Sequence, residues 1–212
     1  MDIQKYLKLA RQAKLDNNSE DAKTYYNKVR EEDPENGEAK FFYAYYSMYE
    51  GKVIELYSRF SNLCKILPSS IQLIQESSSS KEEQLKAIED IVNTFVPETW
   101  ALNKFMNSKN RETKIGDRYV TVFDYSVIKS CCVTGMNALK NLGDQCEKLF
   151  VADPECKKLA VIAWKEYVSL AQKWYAYATK GEAEIYAEKI KRVDPSYEMP
   201  KKAGCISFAD KK

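Results

Sequence analysis

The sequence contains no histidine in 212 residues. That absence removes Ser-His-Asp catalysis, Cys-His catalysis and every histidine-ligated metal site at once. Glycine and proline are scarce, with 7 and 6 residues, which excludes collagen-like and low-complexity chains and argues against turn-rich all-β folds. No run reaches the roughly 20 apolar residues of a membrane span. Neither charge sign dominates. The 33 Lys and Arg residues stand against 31 Asp and Glu, for a net charge of +2, so no global field draws the chain to nucleic acid or to an anionic membrane. No C-x-x-C occurs, and the six cysteines, Cys64, Cys131, Cys132, Cys146, Cys156 and Cys205, are scattered. Met1 to Tyr6 lack the basic-then-apolar pattern of a signal peptide. Reduced thiols and a cytoplasmic location are therefore expected.

What is present is helical periodicity. Tyr6, Leu9, Ala10 and Ala13 share one face. Asp16 to Ser19 breaks that helix, and Asn18 or Ser19 can cap the next, which carries Ala22, Tyr25, Tyr26 and Val29. At Asp33-Pro34 a cap and a first-turn proline predict a third helix with Phe42, Tyr43, Ala44 and Tyr46 inward. A fourth runs from about Val53 to Leu67, ahead of Pro68. Ser80 and Glu83 have capping-box spacing for a helix over 81–95, and Pro97 restarts a helix carrying Trp100, Leu102 and Met106. Residues 107–118 read as a polar loop. Tyr119 to Phe123 has the highest β propensity and reads either as an extended piece or as the opening of a long helix. Two helices split near Thr134-Gly135 or Asn141 to Gly143 are predicted next. A helix from Asp153-Pro154 through Tyr177 follows, then a turn at Lys180-Gly181 and a last helix ending near Val193.

A repeat underlies this pattern. Ala10 and Ala44 are 34 residues apart, as are Tyr26 and Phe60, Val29 and Leu63, and Pro34 and Pro68. The set Tyr6, Leu9, Ala10, Ala13, Ala22, Tyr26, Val29, Pro34 resembles the tetratricopeptide repeat, departing at Ala13, where an aromatic is usual, and at Val29, where Ala is usual. The second copy is weaker, with Tyr43, Ser47 and Leu56 off the pattern. A third copy is Tyr167, Leu170, Ala171, Trp174, Ala183, Ile190 and Pro195, with Ala187 at the aromatic position beside Tyr186. The physical logic is that small residues let two helices approach, aromatics fill the gap to the next hairpin, and neighbours must stack because one hairpin cannot bury its apolar face. The stretch from Asp194 to Cys205 also resembles the linker before a Cys-containing C-terminal box in gut-bacterial repeat proteins, with Cys205-Ile206-Ser207-Phe208 as a degenerate box.

The resemblance implies an all-α fold of stacked antiparallel helical hairpins, as a superhelix or a compact bundle of eight to ten helices. Residues 1–68 are expected to be tetratricopeptide-like hairpins and 69–152 divergent hairpins. Residues 153–197 form a C-terminal hairpin, and 198–212 a basic tail. The first helix of each pair would line a concave face. This places Gln4, Leu7, Arg11 and Lys14, and then Glu38, Phe41, Tyr45, Met48 and Tyr49, along a groove. The peptide-binding set is Leu7, Arg11, Lys14, Phe41, Tyr45, Met48 and Tyr49, an aromatic and methionine stripe beside two cations. The competing reading has Phe41, Tyr45 and Met48 covered by later helices. The carboxylate clamp of chaperone-binding repeats is not matched, because Leu7 and Arg11 stand where it would place Lys and Asn.

Chemistry has little to stand on. No thiolate or carboxylate spacing suits a metal, and Gly116 and Gly143 read as isolated turn residues, not a phosphate loop. Cys131 or Cys132 is the one nucleophile worth naming, with Lys129 as the nearest activating cation. A buried cysteine is the plainer reading. The expectation is a non-enzymatic scaffold that binds a protein or peptide, without cofactor, metal or membrane. The alternative is association with nucleic acid through Lys189, Lys191, Arg192, Lys201, Lys202, Lys211 and Lys212.

Overall fold

Eight α-helices account for most of the described chain, a computed structural model that describes residues 3–108, 113–115, 118–120, 124–150, 153–174 and 176–202. They are α1 (Ile3–Leu15), α2 (Ser19–Glu32), α3 (Gly37–Met48), α4 (Leu56–Glu76), α5 (Lys81–Ser108), α6 (Tyr125–Lys148), α7 (Pro154–Lys173) and α8 (Glu182–Lys191). A 3-10 turn, Val53–Glu55, leads into α4. Between α5 and α6 lies a small antiparallel ribbon, β1 (Thr113–Ile115) and β2 (Arg118–Val120), with Lys114 opposite Tyr119. The fold is all-α apart from this ribbon. Of the extended piece expected at 119–123, residues 119–120 lie in β2, and 121–123 lie outside the described residues.

Local chemistry sets the helix starts. The Asn18 side chain accepts from the backbone N–H of Asp21 at 3.1 Å and caps α2. Ser80 and Glu83 form the reciprocal capping box: the Glu83 N–H donates to Ser80 Oγ at 3.3 Å and the Ser80 N–H to Glu83 at 3.0 Å. Asp153 accepts from Glu155 N–H at 2.8 Å with Pro154 in the first turn, as expected. The third helix differs. Asn36, not Asp33, caps α3 through Ala39 N–H at 3.0 Å, and Asp33-Pro34 stays in the connecting turn.

Three expected breaks do not occur. Pro68 lies inside α4 and Pro97 inside α5, both on solvent-facing positions. An interior proline costs about 3 kcal/mol. Continuing α4 past Pro68 buries Ile71 and Ile74, each worth roughly 1.5–3 kcal/mol, so the continuous helix wins. Continuing α5 past Pro97 buries Leu102 and Met106 by the same arithmetic. In α6 the glycines are contact points. A Cβ on Gly135 would stand 2.8 Å from Thr99 Cγ2 on α5, and one on Gly143 would collide with the Trp164 indole on α7. The propensity lost at each, about 1 kcal/mol, is offset by close helix approach.

The stacking order departs from a simple array. α1, α2, α3 and α4 pack in succession, and then α4 packs on α6, α6 on α7 and α7 on α8. α5 steps out of the row and lies against α3, α4, α6 and α7. One apolar core runs through all eight helices. Ala10 and Ala171, at the small-residue positions of the repeat, are buried, whereas Ala44 is only half-buried. At the C-terminal copy Tyr186 supplies the ring missing at Ala187, and both are buried.

The two ends share a polar device. At the first, Glu38 of α3 accepts from Arg11 Nε of α1 at 2.9 Å and from the Tyr26 hydroxyl of α2 at 3.1 Å. At the second, Glu182 of α8 accepts from Lys140 of α6 and from the Tyr167 hydroxyl of α7, each at 2.8 Å. Each clip ties three helices together.

Candidate protein-interaction site

The groove-facing residues come together, but α5 fills the space in front of them. Leu7 is buried in the core. Arg11 is held by the ion pair and hydrogen bonds to Glu38, which raise its pKa. Lys14 pairs with Asp90 of α5 at 3.2 Å, and its ammonium sits 4.1 Å from the centre of the Phe42 ring. Phe41 is fully buried, edge-on to Phe95 of α5 with ring centres 6.4 Å apart. Met48 is 1% exposed. The hydroxyls of Tyr45 and Tyr49 both donate to Glu98 of α5. Burial, then the Glu98 carboxylate, pushes both phenols above their ordinary range. Of the seven, Tyr49 alone keeps half its surface in solvent. The face of α3 that the repeat resemblance offers to a peptide is thus the seat of α5.

The thiols offer no activated nucleophile. Burial pushes Cys131 up to about 12 and Cys132 up to about 11. For Cys132, an amide hydrogen bond from Asn107 at 3.7 Å and the charge of Lys173 act the other way with less effect. Lys129 is exposed. Burial likewise raises Cys64, Cys146 and Cys156. Cys205 lies outside the described residues. Among the described residues, no group of three or more Cys, Asp or Glu side chains could hold a metal, and no helix is long and apolar enough to cross a membrane.

The basic residues of the tail are largely spoken for. Lys189 binds Asp144 at 2.9 Å and Glu147 at 3.0 Å, Lys191 binds Glu188 at 3.0 Å, and Lys202 stands 3.9 Å from Glu184. Lys201 and Arg192 are exposed, and Lys211 and Lys212 lie outside the described residues.

What stays open is the other side of α3. A cleft of about 530 Å³ runs between the end of α2, the outer face of α3 and the first half of α4. Lys40, Tyr43, Ala44 and Ser47 line it from α3, at the i, i+3, i+4, i+7 spacing of one helical face. Asn62, Ile66 and Arg59 line it from α4, and Arg30, Glu31 and Pro34 close the third side. Met48 is the one expected groove residue that borders it. The Arg30 guanidinium carbon stands over the Tyr43 ring, 3.7 Å from its centre. Arg59 donates from each of its three nitrogens, to the Met48 carbonyl at 2.8 Å, to the Lys52 carbonyl at 2.7 Å and to Glu55 at 2.8 Å. It braces the α3–α4 turn, where Gly51 takes a φ of 88°. The Ser47 hydroxyl oxygen is buried with no hydrogen-bond partner.

Sequence reasoning passed over Arg30, Lys40 and Asn62, and it turned Tyr43 and Ala44 inward with Phe42, whereas both are half-buried and line the cleft. The common face of Lys40, Tyr43, Ala44 and Ser47 was readable from spacing. That no later helix covers it depends on α5 leaving the row, which no local signal encodes. Compared with family models, with curated proteins and with solved structures, the chain finds no match in any of the three.

Proposed function

We propose that this chain is a divergent tetratricopeptide-like scaffold, cytoplasmic and non-enzymatic, that binds a partner protein in the cleft between α2, α3 and α4. The observation that carries this reading is the cleft itself: an open depression of about 530 Å³ with an apolar floor at Ala44 and Ile66 and cations at its edge, the usual build of a recognition site. The raised thiols and the absence of a metal-binding cluster among the described residues are in keeping with binding rather than catalysis. Five unpaired cysteines among the described residues suit a reducing compartment.

The test is site-specific photo-crosslinking in the cells that make the protein. A crosslinking side chain at Asn62, exposed in the cleft wall, should give discrete protein adducts that disappear when Ala44→Trp fills the floor. The same side chain at Lys158, exposed on α7, should give none. Equal adducts from both positions, or adducts indifferent to Ala44→Trp, would overturn the reading.

A further inference from the structure

We infer that the cleft accepts a short acidic peptide segment in extended form, with a carboxylate beside Lys40 and an aliphatic side chain two residues away on Ala44 and Ile66. This rests on the docking reading above and adds the chemistry of the partner.

Charge is the first argument. Arg30, Lys40 and Arg59 face one carboxylate, Glu31, around the cleft. Glu31 accepts from the Asn27 amide at 2.6 Å and keeps its charge, so the cleft carries three cations to one anion. Arg59 spends three of its five donors on two backbone carbonyls and Glu55, which meets its charge, so it mainly shapes the wall. Arg30 uses one face on Tyr43 and one N–H on Asn27 at 2.8 Å; a guanidinium carries five donors, so it keeps others for a ligand. Lys40 is half-buried and makes no ion pair among the described residues. Half-burial beside apolar surface strengthens its attraction for an incoming carboxylate. A basic segment would meet three cations and a single carboxylate, Glu31.

Shape is the second argument. The volume of about 530 Å³ suits a few side chains rather than a whole helix, whose diameter with side chains is about 10–12 Å. Lys40 and Ala44 lie four residues apart on α3, a rise of about 6 Å. In an extended peptide, residues i and i+2 point to the same side about 6.6 Å apart. Acid, any residue, aliphatic is therefore the register that sets one side chain at Lys40 and the next on the Ala44–Ile66 floor. Ser47 lies one further turn along the same face of α3 and closes that end of the cleft, its hydroxyl oxygen shut away from the surface.

The experiment is selection of a phage-displayed random linear peptide library on the full chain, followed by fluorescence polarisation with the enriched peptides. The expected result is an enriched set carrying Asp or Glu two residues from Leu, Ile or Val. Binding should weaken with rising salt, fall about tenfold or more in Lys40→Glu, and vanish in Ala44→Trp. Asn62→Trp, at an exposed wall position, is the second blocking variant, and thermal melts of each variant establish that it folds. Enriched peptides that Ala44→Trp blocks but that are uncharged, or that bind Lys40→Glu unchanged, overturn the acidic ligand and leave the docking site standing. Binding untouched by Ala44→Trp and Asn62→Trp alike overturns the docking site itself, as does a selection that enriches nothing. Tighter capture of a labelled single-stranded oligouridine than of any peptide, lost in Ala44→Trp, replaces the peptide with nucleic acid and overturns the inference.

Discussion

The two faces of α3 have opposite fates. One carries Phe41 and Tyr45 and is sealed by α5 through Phe95 and Glu98. The other carries Lys40, Tyr43, Ala44 and Ser47 and is left as a cleft. The sealed face is the more aromatic, but Tyr43 gives the open one a large ring as well, so composition alone does not decide which is covered. The difference is geometric. α5 departs from the sequential row and settles on one side of α3, and no described element does the same on the other. A helix that would be half of an ordinary repeat thereby becomes a divider, with core on one side and an open cleft on the other.

Neighbouring residues test this division most sharply. Phe41→Ala removes a fully buried ring and should cost about 3–5 kcal/mol, measured by urea unfolding. Lys40→Ala, one position earlier, should stay within about 0.5 kcal/mol. Comparable losses at both would mean that the cleft is closed in solution. The Arg11–Glu38–Tyr26 clip comes next. Its carboxylate is almost wholly buried, with 5% of the side chain exposed, while Arg11 itself is 44% exposed, so Arg11→Ala leaves a buried charge held by Tyr26 alone and should cost about 2 kcal/mol once solvent screening of the arginine is allowed for. Lys140→Ala at the other clip, where the Glu182 side chain is 25% exposed, should cost less than about 1 kcal/mol. The same denaturation series reads both, and equal costs would show that solvent does not separate the two clips.

How much of this could be read in advance follows from what each feature depends on. The helical class, the caps at Asn18, Ser80 and Asp153, and the buried Ala10 and Ala171 rest on periodicity and on groups a few residues apart, so they were legible. Pro68, Pro97, Gly135 and Gly143 were read as breaks because their local preferences say so. Their actual roles depend on partners far along the chain, such as Trp164 against Gly143. The candidate site failed in the same way. Phe41, Tyr45 and Met48 form a stripe that suits a peptide or a helix equally well, and the choice between them is made by the position of α5, some 50 residues downstream of Tyr45 at Glu98.

Alkaline pH should act on the sealed side. Burial, then the charge of Asp90, pushes the Tyr46 phenol up to about 12. Burial also raises Tyr26, Tyr45 and Tyr49. An unfolded tyrosine titrates near 10. A phenol held above that value contributes stability that is complete below about pH 10 and is lost as pH rises through the folded value. For Tyr46 that window is pH 10 to about 12. Tyr46→Phe should leave stability at neutral pH nearly unchanged. It should flatten the alkaline fall by at most about 1.4 kcal/mol per pH unit, followed by circular dichroism in urea at stepped pH. An unchanged slope would place Tyr46 in solvent and loosen the seat of α5.

The smallest effect bears on the open side. Ser47 holds a buried hydroxyl oxygen without a partner at the edge of the cleft. An unmade hydrogen bond of that kind is a cost to the folded chain, and serine is a poorer helix former than alanine. Ser47→Ala should therefore stabilise the protein by about 0.5–1 kcal/mol, seen as a small rise in melting temperature. The sign is what matters. A gain means that the hydroxyl serves no structural purpose, and because its oxygen is shut away from the surface the same variant should bind the selected peptides as wild type does. A loss of stability would mean that the hydroxyl is bonded within the fold.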